Sequence, residues 1–272
     1  MKILVTGHLS FIGRNMTAFL KKQEGVQVDG YELDDISKPS VRAYDWVIHL
    51  DDLHDSKESN VENILGKNYD FSCWLLDECQ RQGVNLQYAS SSTVYGDGKN
   101  FEETAECKPK TTYAWSKYLF DRYAFQKAHT SFVQGFRYFS VYGKWQHVKG
   151  RRANAIYQWR QQAVKEGKVI VWENADKVKR DWVWVGDVCK LQWDFIQQVH
   201  GSGIWNVGSG LSHSYLDIAE YIAEQENVPI ETIPMPLEQR PRLNVCANLK
   251  HLKATIGSRS WLNVYEWLDY DK

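Results

Sequence analysis

Short apolar strands alternate with amphipathic helices from the start of the chain, and this alternation constrains the fold more than any other feature. Residues 2–6 read as a strand, and a helical pattern over 11–22 puts Phe11, Ile12, Met16, Phe19 and Leu20 on one side. Further strands are expected at 26–32, 46–50, 85–90 and 132–139. Helices are expected at 61–82, where Ile64, Leu65, Phe71, Leu75 and Cys79 keep near-helical spacing, and at 113–129. Strands that alternate with helices run parallel, joined by right-handed crossovers. The interval between 32 and 46 hardly holds a strand–helix repeat, so the sheet is expected to be trimmed there.

After Gly143 the pattern loosens. Helices are expected at 151–167, 187–199 and 215–227, and a strand at 169–173. No stretch rich in Pro, Gly or Ser separates this part, so it reads as a compact lobe on the first domain. In an open parallel sheet a ligand cleft lies at the carboxyl ends of the strands, here under that lobe.

The first strand and helix are joined by Thr6-Gly7-His8-Leu9-Ser10-Phe11-Ile12-Gly13. A dinucleotide pyrophosphate needs backbone N–H groups, a helix N-terminus and no side chains in the way. Gly7 and Gly13 suit the turn and the close helix–sheet packing. Ser10 stands where a third glycine is expected, and a positive φ there would be strained. Glu32 ends the second strand roughly 20 residues on, at the position of a ribose-binding acid. The same residues also suit an ordinary strand–turn–helix. On the cofactor reading the class is α/β, a Rossmann-type doubly wound parallel sheet with a smaller C-terminal lobe. The expected domains are 1–143 for NAD(P), with 181–204 returning to it, and 144–180 plus 205–272 for substrate.

Composition narrows the partners. The chain has 272 residues and a formal net charge of −1, which suggests no nucleic-acid or membrane-surface binder. No apolar run is long enough to span a bilayer. The opening residues read as strand and turn rather than as a signal peptide. Five scattered cysteines without C-x-x-C spacing fit reduced thiols in a cytosol, and eight histidines without ligand spacing lead us to expect no metal.

Tyr113 and Lys117 are four apart and share a helical face. A lysine ammonium beside a phenol favours phenolate, which lowers the tyrosine pKa from about 10 toward working pH. Such a tyrosine can take a hydroxyl proton while hydride leaves the same carbon. A surface helix pair has the same spacing, so the rest of the chain decides.

With Gly7 and Gly13, Ser91, and Tyr113 with Lys117 in this order, the chain resembles the extended short-chain dehydrogenase/reductase family, in its nucleotide-sugar epimerase/dehydratase group. The resemblance extends to Tyr88-Ala89-Ser90-Ser91-Ser92-Thr93-Val94-Tyr95-Gly96, to Gly135-Phe136-Arg137-Tyr138-Phe139-Ser140-Val141-Tyr142-Gly143 and to Lys179-Arg180-Asp181-Trp182-Val183-Trp184-Val185-Gly186-Asp187-Val188. Gly143-Lys144-Trp145-Gln146-His147-Val148-Lys149-Gly150 is similar to the ADP-glycero-manno-heptose 6-epimerases within it. The resemblance implies NAD or NADP as cofactor, held by Gly7, Ser10, Phe11, Ile12, Gly13, Glu32, Leu50, Asn68, Tyr113 and Lys117. It implies Ser91, Tyr113, Lys117 and a second acid/base, Lys149, as catalytic residues. A nucleotide-diphosphate sugar would meet Ser140, Lys149, Trp172, Arg180 and Arg242. The implied activity is epimerisation by transient hydride transfer, in a cytoplasmic homo-oligomer. The alternatives are a 4-epimerase or 4-keto reductase of another nucleotide sugar, or a diverged, non-catalytic Rossmann-type binding protein.

Several residues depart from the family pattern. Ser92 and Thr93 replace the Asp–Glu pair of the 4,6-dehydratases, and neither ionises to drive an elimination. Asp51 and Asp52 follow His49-Leu50 where small residues usually lie against the cofactor, and two carboxylates near a pyrophosphate cost affinity unless they turn away or find cations. Ser140 replaces an asparagine that usually touches substrate, and Pro241 stands about where the heptose epimerases carry a tyrosine.

Overall fold

The computed structural model describes residues 1–33, 37–53, 60–98, 101–126, 129–198, 200–235 and 243–270. β1 (Lys2–Thr6), β2 (Gln27–Tyr31), β3 (Trp46–His49), β4 (Asn85–Ser91), β5 (Val133–Tyr138) and β9 (Gly203–Val207) form a six-stranded sheet in the order β2-β1-β3-β4-β5-β9. Every pairing in it is parallel. β3 and β5 are buried along their whole length, as strands with both faces covered must be. β3 joins β1 with no helix among the described residues between β2 and β3, which is the expected trimming.

α1 (Phe11–Leu20) turns Phe11, Met16 and Leu20 onto one face of the sheet, where α6 (Val185–Gln197) packs beside it. Gly203–Val207, which the sequence reading did not identify as a strand, pairs with β5, so the return to the main sheet runs past residue 204. The other face is covered by α3 (Phe71–Gln82) and α4 (Thr112–Phe125), with Phe71, Leu75, Leu76 and Phe120 in a second apolar cluster.

The helix expected at 61–82 is three pieces on one path. α2 (Val61–Leu65) and α3 flank a wide turn, Gly66–Asp70, where the Phe71 N–H reaches back five residues to the Gly66 carbonyl. A π-turn inserts one residue and re-aims the side chains after it, a device frequent at functional sites. Here it directs Asn68 inward to 1 % exposure. The helix expected from 113 ends at Phe125. That expected from 151 starts later: α5 (Ala155–Glu166) is capped by Asn154, and a 3₁₀ segment, Gln146–Arg152, precedes it.

The remaining elements build smaller sheets. β8 (Lys179–Trp184) pairs with β6 (Ser140–Tyr142), β10 (Ser212–Ser214) and β12 (Asn244–Val245). β7 (Val169–Trp172) pairs with β11 (Ile230–Ile233). α5 and α7 (Tyr215–Glu226) pack together over a third cluster that includes Trp159, Trp182 and Ile222. α8 (Lys250–Ile256) lies against β9, and α9 (Val264–Tyr270) against α7. No helix among the described residues is long and apolar enough to cross a membrane.

Candidate active site

The glycine turn after β1 is shaped by backbone contact. Gly7 has φ +68°, and a Cβ there would lie 2.6 Å from the Asp51 Cα. A Cβ on Gly13 would lie 1.9 Å from the Gly7 carbonyl oxygen. Both are therefore glycine for close approach, and the turn presents backbone to the cleft. Ser10 corrects the expectation of strain. Its backbone is extended (φ −67°, ψ 169°), and its Oγ accepts from the Gly13 N–H at 3.1 Å, capping α1. Glu32 braces the turn, accepting from the Leu9 N–H at 2.7 Å and lying 2.9 Å from His8 Nδ1.

α4 carries a polar stripe at four-residue spacing, Tyr113, Lys117 and Asp121, facing the carboxyl end of β4. Thr111 caps the helix, its Oγ1 accepting from the Ala114 N–H. Asp121 anchors the stripe by accepting from Tyr88, Ser90 and Arg137, each at 3.0 Å. Lys117 is 4 % exposed, donates to the Ala89 carbonyl at 3.1 Å and lies 5.7 Å from the centre of the Tyr113 ring. Ser91 ends β4, and its Oγ accepts from the Thr93 hydroxyl at 2.9 Å.

Asp52 completes this end of the cleft. Its Oδ2 accepts from the Tyr113 hydroxyl at 2.9 Å and lies 3.0 Å from Lys117 Nζ. The expectation that Lys117 lowers the tyrosine pKa is thereby reversed. Burial pushes the phenol well above its usual range, the Asp52 charge and hydrogen bond push further, and a hydrogen bond from Ser91 opposes them. Tyr113 is a proton donor in this state. Lys149, also on the cleft wall, lies 5.8 Å from the centre of the Phe11 ring. Burial lowers its pKa, while the Asp52 charge pulls it back up. Asp51 is on the cleft wall, and its carboxylate accepts from the Leu33 N–H at 2.7 Å. Burial, then the Glu32 charge, raise its pKa to about 6.

Asn68 holds the backbone just after Asp52. Its Oδ1 accepts from the Leu53 N–H at 2.6 Å, and its Nδ2 donates to the Leu53 carbonyl at 3.1 Å and to Ser116 at 3.2 Å. The Ser72 hydroxyl donates to the Asn68 carbonyl and contacts His49 Nε2 at 2.8 Å, and His49 Nδ1 meets Thr6 Oγ1 at 2.6 Å. Burial, with the Lys117 charge adding, holds His49 near pKa 3, so this chain is neutral.

These residues border one cleft of about 420 Å3. Its wall includes Ser10, Phe11, Ile12, Glu32, Leu50, Ser91, Tyr113 and Lys149. Gly7, Gly13, Asn68 and Lys117 support this wall from behind. Phe139 and Val141 line the cleft on either side of Ser140, which sits in β6 opposite Trp182. Trp172 lies in β7 opposite Ile233. Arg180 is in β8, over the Tyr215 ring at 5.4 Å. Neither borders the cleft. Arg242 and Pro241 fall outside the described residues. Lys38 lies over the Trp74 ring at 4.5 Å and is not on the cleft wall. The sequence reading gave no site role to Tyr138, Phe139 or Arg152, all on the cleft wall. The position of Tyr138 and Phe139 at the carboxyl end of a parallel strand was the available signal; Arg152 carried none beyond its nearness to Lys149.

The shape agrees with known proteins. The chain matches a pseudomonad ADP-L-glycero-D-manno-heptose-6-epimerase (Pseudomonas paraeruginosa) at 30 % identity over 88 % of this chain and 82 % of that one. The enzyme of the same name from Thiobacillus denitrificans is 36 % identical over 64 % of this chain and 54 % of its own. Among solved structures, a Thermus thermophilus UDP-glucose 4-epimerase in complex with NAD superposes with a TM-score of 0.81 at 26 % identity, covering 98 % of this chain and 96 % of that one. The Helicobacter pylori ADP-L-glycero-D-manno-heptose-6-epimerase superposes at 0.85 and 22 % identity, over 97 % and 92 %, which speaks for the fold. The model of the NAD dependent epimerase/dehydratase family matches residues 3–208, and the chain belongs to that family.

Proposed function

We propose that the protein is a nucleotide-sugar epimerase of the ADP-glycero-manno-heptose 6-epimerase kind, acting with a tightly held NAD or NADP. One observation carries the reading: Ser91, Tyr113 and Lys149 line the same cleft as Leu9, Ser10, Phe11 and Ile12 of the glycine turn. The turn fits a dinucleotide because its two glycines pack backbone against backbone and so bring the N-terminus of α1, with Ser10, Phe11 and Ile12, to the cleft wall. Gly7, Ser10, Phe11, Ile12 and Gly13 would hold the pyrophosphate, with Glu32 and Leu50 beside the ribose. Bound NAD+ or NADP+ supplies a reversible hydride acceptor. Tyr113 exchanges the proton of the substrate hydroxyl at its phenol oxygen, and Ser91 hydrogen-bonds the same oxygen. Lys149 moves a proton on the opposite face. Arg152, on the cleft wall, would meet a substrate diphosphate there, whereas Arg180 is not on that wall. The exposed Trp115, Leu119 and Phe125 on α4 suit a homo-oligomer contact, and the free cysteines suit a cytosolic setting.

The test is incubation with ADP-glycero-manno-heptose or UDP-glucose and either dinucleotide, followed by NMR of the sugar. Inversion at C6 supports the reading, inversion at C4 moves it to the 4-epimerases, and a C6 turnover unchanged in Lys149→Ala removes the second acid/base. A second reading, a non-catalytic binding protein, is favoured by the hold of Asp52 on Tyr113 and Lys117. It requires nucleotide-sugar binding with no turnover, and no functional change in Tyr113→Phe.

A further inference from the structure

We infer that Asp52 is an internal competitor at the Tyr113–Lys117 pair, a residue that sets how tightly the cleft retains its dinucleotide. The inference rests on the proposed function, in which Tyr113 meets the reacting oxygen of a bound substrate; Lys117, one turn on along α4, would hold the nicotinamide ribose.

Asp52 occupies the donors of both residues. A tyrosine hydroxyl has one proton, and that of Tyr113 points to Asp52 Oδ2 at 2.9 Å. An ammonium has three, of which Lys117 gives one to the Ala89 carbonyl and directs another to the same Asp52 oxygen at 3.0 Å. A ligand hydroxyl that needs either donor must displace a charged acceptor, and charge-assisted hydrogen bonds are about twice as strong as neutral ones. A neutral ribose hydroxyl therefore exchanges a stronger partner for a weaker one.

The placement of Asp52 is built into the fold. Leu53 is held through both its N–H and its carbonyl by the Asn68 side chain, and the π-turn is what aims Asn68 there. The backbone beside Asp52 is thus pinned from one side and its carboxylate from the other.

Charge adds to the competition. Glu32, Asp51 and Asp52 all line the cleft, against Lys149 and Arg152, with Lys117 behind the wall. A dinucleotide brings two phosphate charges to this balance. Removing Asp52 frees the two donors and takes away one repelling charge.

The experiment is calorimetric binding of NAD+ and of NADP+ to the wild-type chain, Asp52→Asn and Asp52→Ala, each first stripped of nucleotide. Asp52→Asn keeps the shape and loses the charge. Asp52→Ala also clears the space. The expected result is a tighter NAD+ complex in both, with Kd at least tenfold lower in Asp52→Ala, equivalent to about 1.4 kcal/mol. A gain of affinity cannot come from a misfolded variant. Wild-type binding that both variants leave within twofold, or weaken, overturns this inference and leaves the proposed function standing. Failure of all three proteins to bind either dinucleotide at millimolar concentration overturns both.

Discussion

The two ends of the cleft are built by opposite means. At the glycine turn, the wall is backbone. Gly7 and Gly13 permit contacts no side chain would allow, Ser10 caps the helix, and Glu32 braces the loop. At the α4 end, the wall is charge. Tyr113 and Lys117 are both tied to Asp52, and the states of Tyr113 and Lys149 follow from burial and from the Asp52 charge. Close backbone packing tolerates few residue types, so a motif records it. A charge network tolerates many, and one inserted carboxylate can reverse its behaviour.

The largest expected effect lies at the charged end. Tyr113→Phe removes the proton donor and should lower turnover of an accepted nucleotide sugar by about 10²- to 10⁴-fold with the fold intact. Initial rates together with the thermal midpoint check this. If activity falls only with the midpoint, the two ends differ less than argued here.

Gly7→Ala strikes the backbone end. It puts a Cβ at φ +68° and 2.6 Å from the Asp51 Cα. Strain of about 1–2 kcal/mol from the conformation alone is expected, with loss of dinucleotide binding as the turn shifts. Urea unfolding and calorimetry separate the two consequences.

Asp51, between the ends, gives a pH test. Its pKa is raised to about 6, so between about pH 4 and pH 6 the folded chain keeps a proton that the unfolded chain has released. Its contribution to stability is therefore greatest at low pH and is lost as pH rises through 6. Asp51→Asn should stabilise the protein by about 2 kcal/mol above pH 6 and change little at pH 4. Unfolding at both pH values reads this, and equal effects at both would place the Asp51 charge elsewhere in the balance.

Ser10→Ala is expected to be mildest, costing about 1 kcal/mol through the lost cap. Ser10→Gly should cost a few tenths of that, since the residue is extended and needs no positive φ. A large effect of either would mean that the hydroxyl serves the ligand rather than the helix.

Much of the sheet was legible in the sequence because a buried parallel strand must be apolar throughout. β1 (Lys-Ile-Leu-Val-Thr) and β3 (Trp-Val-Ile-His) stand out for that reason. Strand β9 was missed: Gly203-Ile204-Trp205-Asn206-Val207 mixes a buried polar residue into the run, and the Asn206 side chain is satisfied by Tyr95 and by the Phe101 and Asn248 carbonyls from distant parts of the chain. The π-turn was missed because helical periodicity continues on both sides of it.

The sequence by itself determined the parallel sheet, the glycine turn and the shared face of Tyr113 and Lys117. Each is local or periodic, set by steric limits and by helix or strand repeat. Only the tertiary structure decided the protonation and pairing of the site. Asp52 is 61 residues from Tyr113 in the chain and 2.9 Å from it in space. Its effect on the phenol depends on distance and burial, which no local pattern of residues encodes.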